Sequence, residues 1–137
     1  MHKIEFIGKT DMGRIRSNNE DTFLLNSDAG YCLVADGKGG AAAGEMASQI
    51  FAQTAADIFA AGPPANEQEL VDRVQSVFLQ ANDRILDHVG RYPDHRGMGC
   101  TAELLAFTAT GFVIGHMGDS RTYRLRQGSL KQLTKDH

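Results

Sequence analysis

Two periodicities divide the chain. Residues 3–8 alternate, with Ile4, Phe6 and Gly8 on one face, and the spacing predicts a short first strand. Residues 10–19 lack any period and hold Gly13, Arg14, Arg16, Asn18 and Asn19, so they read as a polar loop. Residues 22–26 and 31–35 read as two strands joined by the turn Ser27-Asp28-Ala29-Gly30. The period then lengthens. Met46, Ala47, Ile50, Phe51, Ala55, Ile58 and Phe59 fall at helical spacing within residues 43–61, closed by Gly62-Pro63-Pro64. Asn66 followed by Glu69 reads as an N-cap with its capping-box partner. The helix it opens carries Leu70, Val74, Val77, Phe78, Ala81, Ile85 and Val89 on one face, opposite Asp72, Arg73, Gln75, Gln80 and Asp83.

A polar linker runs from Tyr92-Pro93 through Asp94, His95 and Arg96 to Gly97-Met98-Gly99. Four strand-like segments follow, over residues 100–107, 112–117, 121–127 and 129–133, with turns at Thr110-Gly111 and Gln127-Gly128. In the third, Tyr123 and Leu125 alternate with Thr122, Arg124 and Arg126, which predicts one buried and one wet face. Strands, two helices, then more strands predict an α+β layered fold built on antiparallel sheet.

At 137 residues this is one domain, long enough to bury roughly two-thirds of its unfolded surface. No run approaches the ~20 apolar residues of a membrane span, and Met1-His2-Lys3-Ile4-Glu5 lacks a signal-peptide core, so a cytoplasmic address is expected. Cys32 and Cys100 match no metal-ligand spacing and read as reduced thiols. A net charge of −3 argues against binding nucleic acid, yet it allows a phosphorylated substrate whose charge is offset by metal ions.

The candidate chemistry gathers where an apolar run ends, at Leu33-Val34-Ala35-Asp36-Gly37-Lys38-Gly39-Gly40. A nucleotide-binding glycine loop would end in Gly-Lys-Ser/Thr, whereas Gly39-Gly40-Ala41 follows Lys38 here. A hairpin brings Glu20-Asp21 beside Asp36, and no basic residue lies between Glu20 and Asp36 in sequence. Uncompensated carboxylates call for a hard divalent cation, and oxygen-only donors select Mg²⁺ or Mn²⁺ over zinc or copper. The plainer alternative makes Glu20-Asp21 a solvated strand start and Asp36 a turn former. Gly118-Asp119-Ser120-Arg121 repeats the arrangement between two strands, or is simply a tight turn. Arg14, Arg16 and Arg121 are candidate anion clamps, though any one of them alone reads more readily as a solvated surface arginine. His116 reads as packing within its strand, and Asp136-His137 as too near the end of the chain for a role.

Five stretches together resemble the type 2C metal-dependent serine/threonine phosphatases, their bacterial members above all. They are Gly13-Arg14-Ile15-Arg16-Ser17-Asn18-Asn19-Glu20-Asp21, Val34-Ala35-Asp36-Gly37-Lys38-Gly39-Gly40, Gly97-Met98-Gly99-Cys100-Thr101, Gly118-Asp119-Ser120-Arg121-Thr122-Tyr123 and Leu133-Thr134-Lys135-Asp136-His137. The resemblance implies an antiparallel β-sandwich flanked by helices. It also implies a binuclear Mn²⁺ or Mg²⁺ centre, with a third, weaker metal, whose bridging water attacks phosphoserine or phosphothreonine in proteins. By motif, Arg16 matches the phosphate-binding arginine. Glu20 and Asp36 match metal ligands, Asp36 bridging and Gly37 lending its carbonyl. Asp21 matches the acid beside that glutamate, and Asp119 the carboxylate near the third metal. Lys38 departs from the family's usual methionine or histidine; its ammonium would compete with a cation, grip the substrate phosphate, or simply point to solvent.

Family members continue past Asp136-His137 through further strands and aspartate ligands. Residues 1–137 are therefore expected to be the N-terminal portion of a catalytic domain, a sandwich truncated after the Asp119 hairpin and prone to self-association through open sheet faces. The expected partners are phosphoproteins, in opposition to a serine/threonine kinase, with no nucleic acid and no membrane. The alternative is a non-catalytic half-domain that binds a phosphoprotein or another partner.

Overall fold

Strands β1 (Asp21–Asn26) and β2 (Tyr31–Lys38) form the hairpin on which the rest is laid, as the computed structural model, which describes residues 3–137, has it. Met1 and His2, part of the stretch read as lacking a signal-peptide core, lie outside the described residues. Asn26 closes the turn: its side-chain oxygen accepts from the Ala29 amide at 2.9 Å and its carbonyl from Gly30, whose φ of 76° suits glycine. Strands β3 (Gly99–Cys100), β4 (Ala102–Phe107) and β5 (Phe112–Met117) complete an antiparallel sheet in the order β1-β2-β4-β5, with β3 pairing the far end of β2. Strands β6 (Tyr123–Arg126) and β7 (Ser129–Gln132) form a separate hairpin.

Helices α1 (Ala41–Phe59) and α2 (Glu67–Arg91) cover one face of the large sheet. Tyr31, Leu33 and Ala35 of β2, with Leu104 and Ala106 of β4, meet Phe51, Ala55 and Phe59 of α1 and Leu70, Val74 and Val77 of α2. Burying each large apolar side chain in such a core contributes about 1.5–3 kcal/mol. The predicted cap of α2 is present, Asn66 accepting from the Glu69 amide at 2.8 Å, while Glu69 reaches past Asn66 to the Ala65 amide. Among the described residues no helix is long and apolar enough to cross a membrane. Cys32 and Cys100 are both free.

Four expectations need correction. Residues 3–8 form no strand: Phe6 stacks on Phe107 and Gly8 lies under the Phe23 ring, but the backbone has no ladder partner among the described residues. Strand β2 continues to Lys38, so Asp36 sits inside a paired strand and not at its end, because β3 extends the ladder past β4. The strand read over residues 100–107 is broken at Thr101, whose amide donates to the Asp36 carbonyl outside either ladder. The face of the β6–β7 hairpin carrying Tyr123 and Leu125 is open, with Leu125 71% and Leu130 65% exposed, since no described layer covers it. The linker also contains a short 3-10 turn, Pro93–His95.

Candidate metal and phosphate site

Along β2, Tyr31, Leu33, Ala35 and Gly37 point to the helices, so Cys32, Val34 and Asp36 point to the opposite face. Asp21 lies directly opposite Asp36 in the ladder and shares that face. Like charges placed opposite each other across a ladder destabilise it unless something neutralises them. The Asp36 carboxyl is pushed above the ordinary carboxylate range, first by desolvation, then by a hydrogen bond and charge from Asp21, and by the charge of Asp119; Arg16 pulls it the other way. The Asp36 residue as a whole nonetheless remains open to solvent. A cleft of about 240 Å³ opens there, walled by Lys9, Thr10, Asp21, Asp36 and Ser120. A larger cavity, about 1050 Å³, lies at the other end of the sheet among Asn26–Gly30 and Phe107–Phe112 and has no cluster of ionisable groups.

Glu20 departs from the expected convergence. Glu20 precedes β1, and its side chain lies toward α1 instead of on the Asp21–Asp36 face. Its carbonyl accepts from the Gly37 amide at 3.2 Å and from Ser48 Oγ at 2.8 Å, while its carboxylate lies over Gly44. A Cβ on Gly44 would stand 1.8 Å from Glu20 Oε2, and one on Gly37 would stand 2.0 Å from the Gly44 carbonyl oxygen. Two glycines thus let β2, α1 and Glu20 meet. Gly44 was not singled out in the sequence; an isolated glycine in an alanine-rich helix start was the available signal.

The second constellation docks onto the first. Thr101 Oγ1 accepts from the Asp36 amide at 3.0 Å and lies 2.5 Å from Ser120 Oγ, beside Asp119. Gly118, at φ 102°, lies so close to Thr101 that a Cβ would stand 2.8 Å from its methyl. Burial, and then the charge of Asp36, raise the nearby Cys100 thiol to about 11, which keeps it protonated.

Arg121 is not an anion clamp: it is tied to Asp136 through Nε and Nη2, the shortest contact being 2.7 Å. Asp136 and His137 accordingly have a place, His137 Nδ1 accepting from the Gly118 amide at 3.1 Å. Arg14 is exposed. Lys38 is exposed at the end of β2, two residues from Asp36 and on the same face. Glu103 escaped the sequence reading altogether. It is 4% exposed and bonded to His116, its ladder partner, and to Thr122 Oγ1 at 2.6 Å. A lone charge in the apolar run Ala102-Glu103-Leu104-Leu105 was the clue.

Among the described residues no three Asp, Glu, His or Cys side chains converge as a closed metal cage. The donor chemistry nonetheless fits a hard cation: all-oxygen, with acidic groups in excess around Asp36. Mg²⁺ in particular keeps several waters and takes one or two carboxylates.

The family model for protein phosphatase 2C matches residues 14–137. The chain belongs to the protein phosphatase 2C family. It is similar to the serine/threonine protein phosphatase PstP of Mycobacterium tuberculosis H37Rv, at 35% identity over 133 residues, 97% of this chain and 25% of that one. It is also similar to the serine/threonine phosphatase stp of Listeria monocytogenes serotype 4b, at 33% identity, over 94% of this chain and 53% of that one. The crystal structure of the PstP catalytic domain in complex with two manganese ions superposes with a TM-score of 0.85 at 36% identity, over 93% of this chain and 54% of that one. The chain therefore spans between a quarter and about half of these 2C relatives, and its α+β fold with antiparallel sheet is theirs.

Proposed function

We propose that these 137 residues are the N-terminal part of a metal-dependent catalytic domain that removes phosphate from phosphoserine and phosphothreonine in proteins. The observation that carries the reading is Asp36, set opposite Asp21 on one sheet face with Asp119 and Arg16 acting on it electrostatically. Asp36, the Gly37 carbonyl and Asp119 would hold Mn²⁺ or Mg²⁺, with Glu20 approaching from the Gly37 side, where its carboxylate lies over Gly44, and Asp21 supporting from beside Asp36. Such cations supply Lewis acidity, acidifying water and offsetting phosphate charge. Arg16, the cation acting on Asp36, would orient the phosphoryl oxygens by a charge-assisted contact, and Lys38 would draw the same group from the strand end.

The relatives' names and the membership of the 2C family support this reading. A cytoplasmic setting and opposition to a serine/threonine kinase go with it. Self-association of the isolated 137 residues follows from the open apolar face at Val34, Tyr123, Leu125 and Leu130. The test is hydrolysis of a phosphothreonine peptide by the full-length protein, with and without Mn²⁺. Turnover that appears with Mn²⁺ and vanishes with chelator is expected. Metal-independent turnover overturns the mechanism. Tight phosphopeptide binding without turnover favours the binding-module reading.

A further inference from the structure

We propose that Glu103 and His116 form a positioning pair that fixes the Asp119 turn through the Lys135 carbonyl. Both ring nitrogens of His116 meet acceptors: Nδ1 faces Glu103 Oε1, and Nε2 lies 2.7 Å from the Lys135 oxygen. An imidazolium donating to an ionised Glu103 and to the Lys135 oxygen satisfies both contacts at once. Glu103 is the buried member of the pair, so its carboxylate needs a counter-charge, and the half-buried His116 supplies it from the adjacent strand while Thr122 holds the second Glu103 oxygen.

The pair grips a strap. From Lys135 the chain runs to Asp136, which takes Arg121, and to His137, whose amide donates to the Gly118 carbonyl at 2.9 Å while its ring accepts from the Gly118 amide. Thr122 is tied in turn to Thr134 and Leu133. Gly118, Arg121 and Thr122, on both sides of Asp119, are thus held by residues 133–137. His116 is the link from that strap to the main sheet. The ionisable groups facing His116 are Glu103 from β4 and Asp136 and His137 from the strap, with Arg121 neutralising Asp136. Its proton affinity is raised, chiefly by the Glu103 hydrogen bond against the opposing effect of desolvation, and further by the Lys135 carbonyl.

The functional consequence rests on the reading of Asp119 as a metal ligand, so the test separates the two. Amide hydrogen exchange is measured by NMR on the full-length protein and its Glu103→Gln variant. Acceleration of about tenfold or more at the Gly118 and His137 amides, with core amides such as Phe51 unchanged, is expected. Unchanged exchange at the turn overturns the positioning role, as does equal acceleration throughout. His116→Gln, which leaves Glu103 a donor but abandons Lys135, should reproduce the effect. Should both variants fail to fold, the ¹⁵N spectrum of the wild-type imidazole decides: two protonated nitrogens at pH 7 support the pair, and a neutral ring overturns it. Mg²⁺ titration then tests the consequence. Glu103→Gln should weaken binding severalfold in the wild-type background and not at all in Asp119→Ala. Asp119→Ala with undiminished Mg²⁺ binding overturns the metal-ligand reading alone.

Discussion

Gly44 and Gly37 allow the fold and the site to be separated by single methyl groups. In a helix, Gly→Ala ordinarily stabilises by about 0.5–1 kcal/mol, because alanine loses less backbone freedom on folding. At Gly44 the added Cβ would meet first the Glu20 carboxylate, 1.8 Å from Oε2 and 2.8 Å from Cδ. That is the free end of a flexible side chain, which can swing away; the remaining neighbour, the Gly37 carbonyl carbon at 3.1 Å, must give by a few tenths of an ångström, which offsets part of the helix gain. What is lost is the carboxylate's position. Displacing one ligand that contributes about 1.4 kcal/mol weakens metal binding about tenfold. At Gly37 the obstruction is backbone, the Gly44 carbonyl at 2.0 Å and the Glu20 carbonyl at 2.8 Å, which cannot swing. Overpacking of that kind costs about 1–3 kcal/mol or more. Thermal melts paired with Mn²⁺ calorimetry on the full-length protein should show Gly44→Ala melting within about 1 kcal/mol of wild type but binding metal about tenfold more weakly. Gly37→Ala should melt clearly lower. A Gly44→Ala protein that folds normally and binds Mn²⁺ as tightly as wild type would refute the placement of Glu20.

Arg16→Ala should mainly raise KM for a phosphopeptide, by about ten- to a hundredfold if ~1.5–3 kcal/mol of charge-assisted contact is lost, read from steady-state kinetics. Lys38 lies about 6.6 Å along the strand from Asp36, so in water its repulsion of a divalent ion is ~1.3 kcal/mol before screening; Lys38→Met should tighten Mg²⁺ by less than tenfold, and less still in salt. Because the folded pKa of His116 is raised, its contribution to stability should be full below the unfolded value near 6.5 and fade as pH rises through the folded one, a slope that denaturant titrations should find absent in Glu103→Gln. Asn66→Ala should cost about 1 kcal/mol of unfolding free energy by removing the α2 cap.

The elements with a strong period were legible: both helices, their apolar faces and the β1–β2 turn follow from spacing and punctuation alone. Residues 3–8 alternate like a strand, but a strand needs a ladder partner, which local sequence cannot provide. Tyr123 and Leu125 alternate correctly too, yet burial depends on a covering layer, and their face is open. At the site, Asp36 with Asp21 was readable from hairpin geometry. Glu20 was not, because it lies just outside the β1 ladder and only the close approach of α1 at Gly44 fixes where its carboxylate lies. Arg121 looked like a free cation only while Asp136, fifteen residues on, was read as frayed. Glu103 and His116 required the β4–β5 register before either could be seen as half of a pair.

The claim on which the account turns is that Asp36 anchors a metal-dependent phosphatase site. Its sharpest test is the turnover of Asp36→Asn in the full-length protein, on a phosphothreonine peptide at saturating substrate and Mn²⁺. Asparagine keeps the volume and removes the charge, so kcat should fall by about a thousandfold or more while the melting transition is preserved. Near-normal kcat in a folded Asp36→Asn protein would contradict the account.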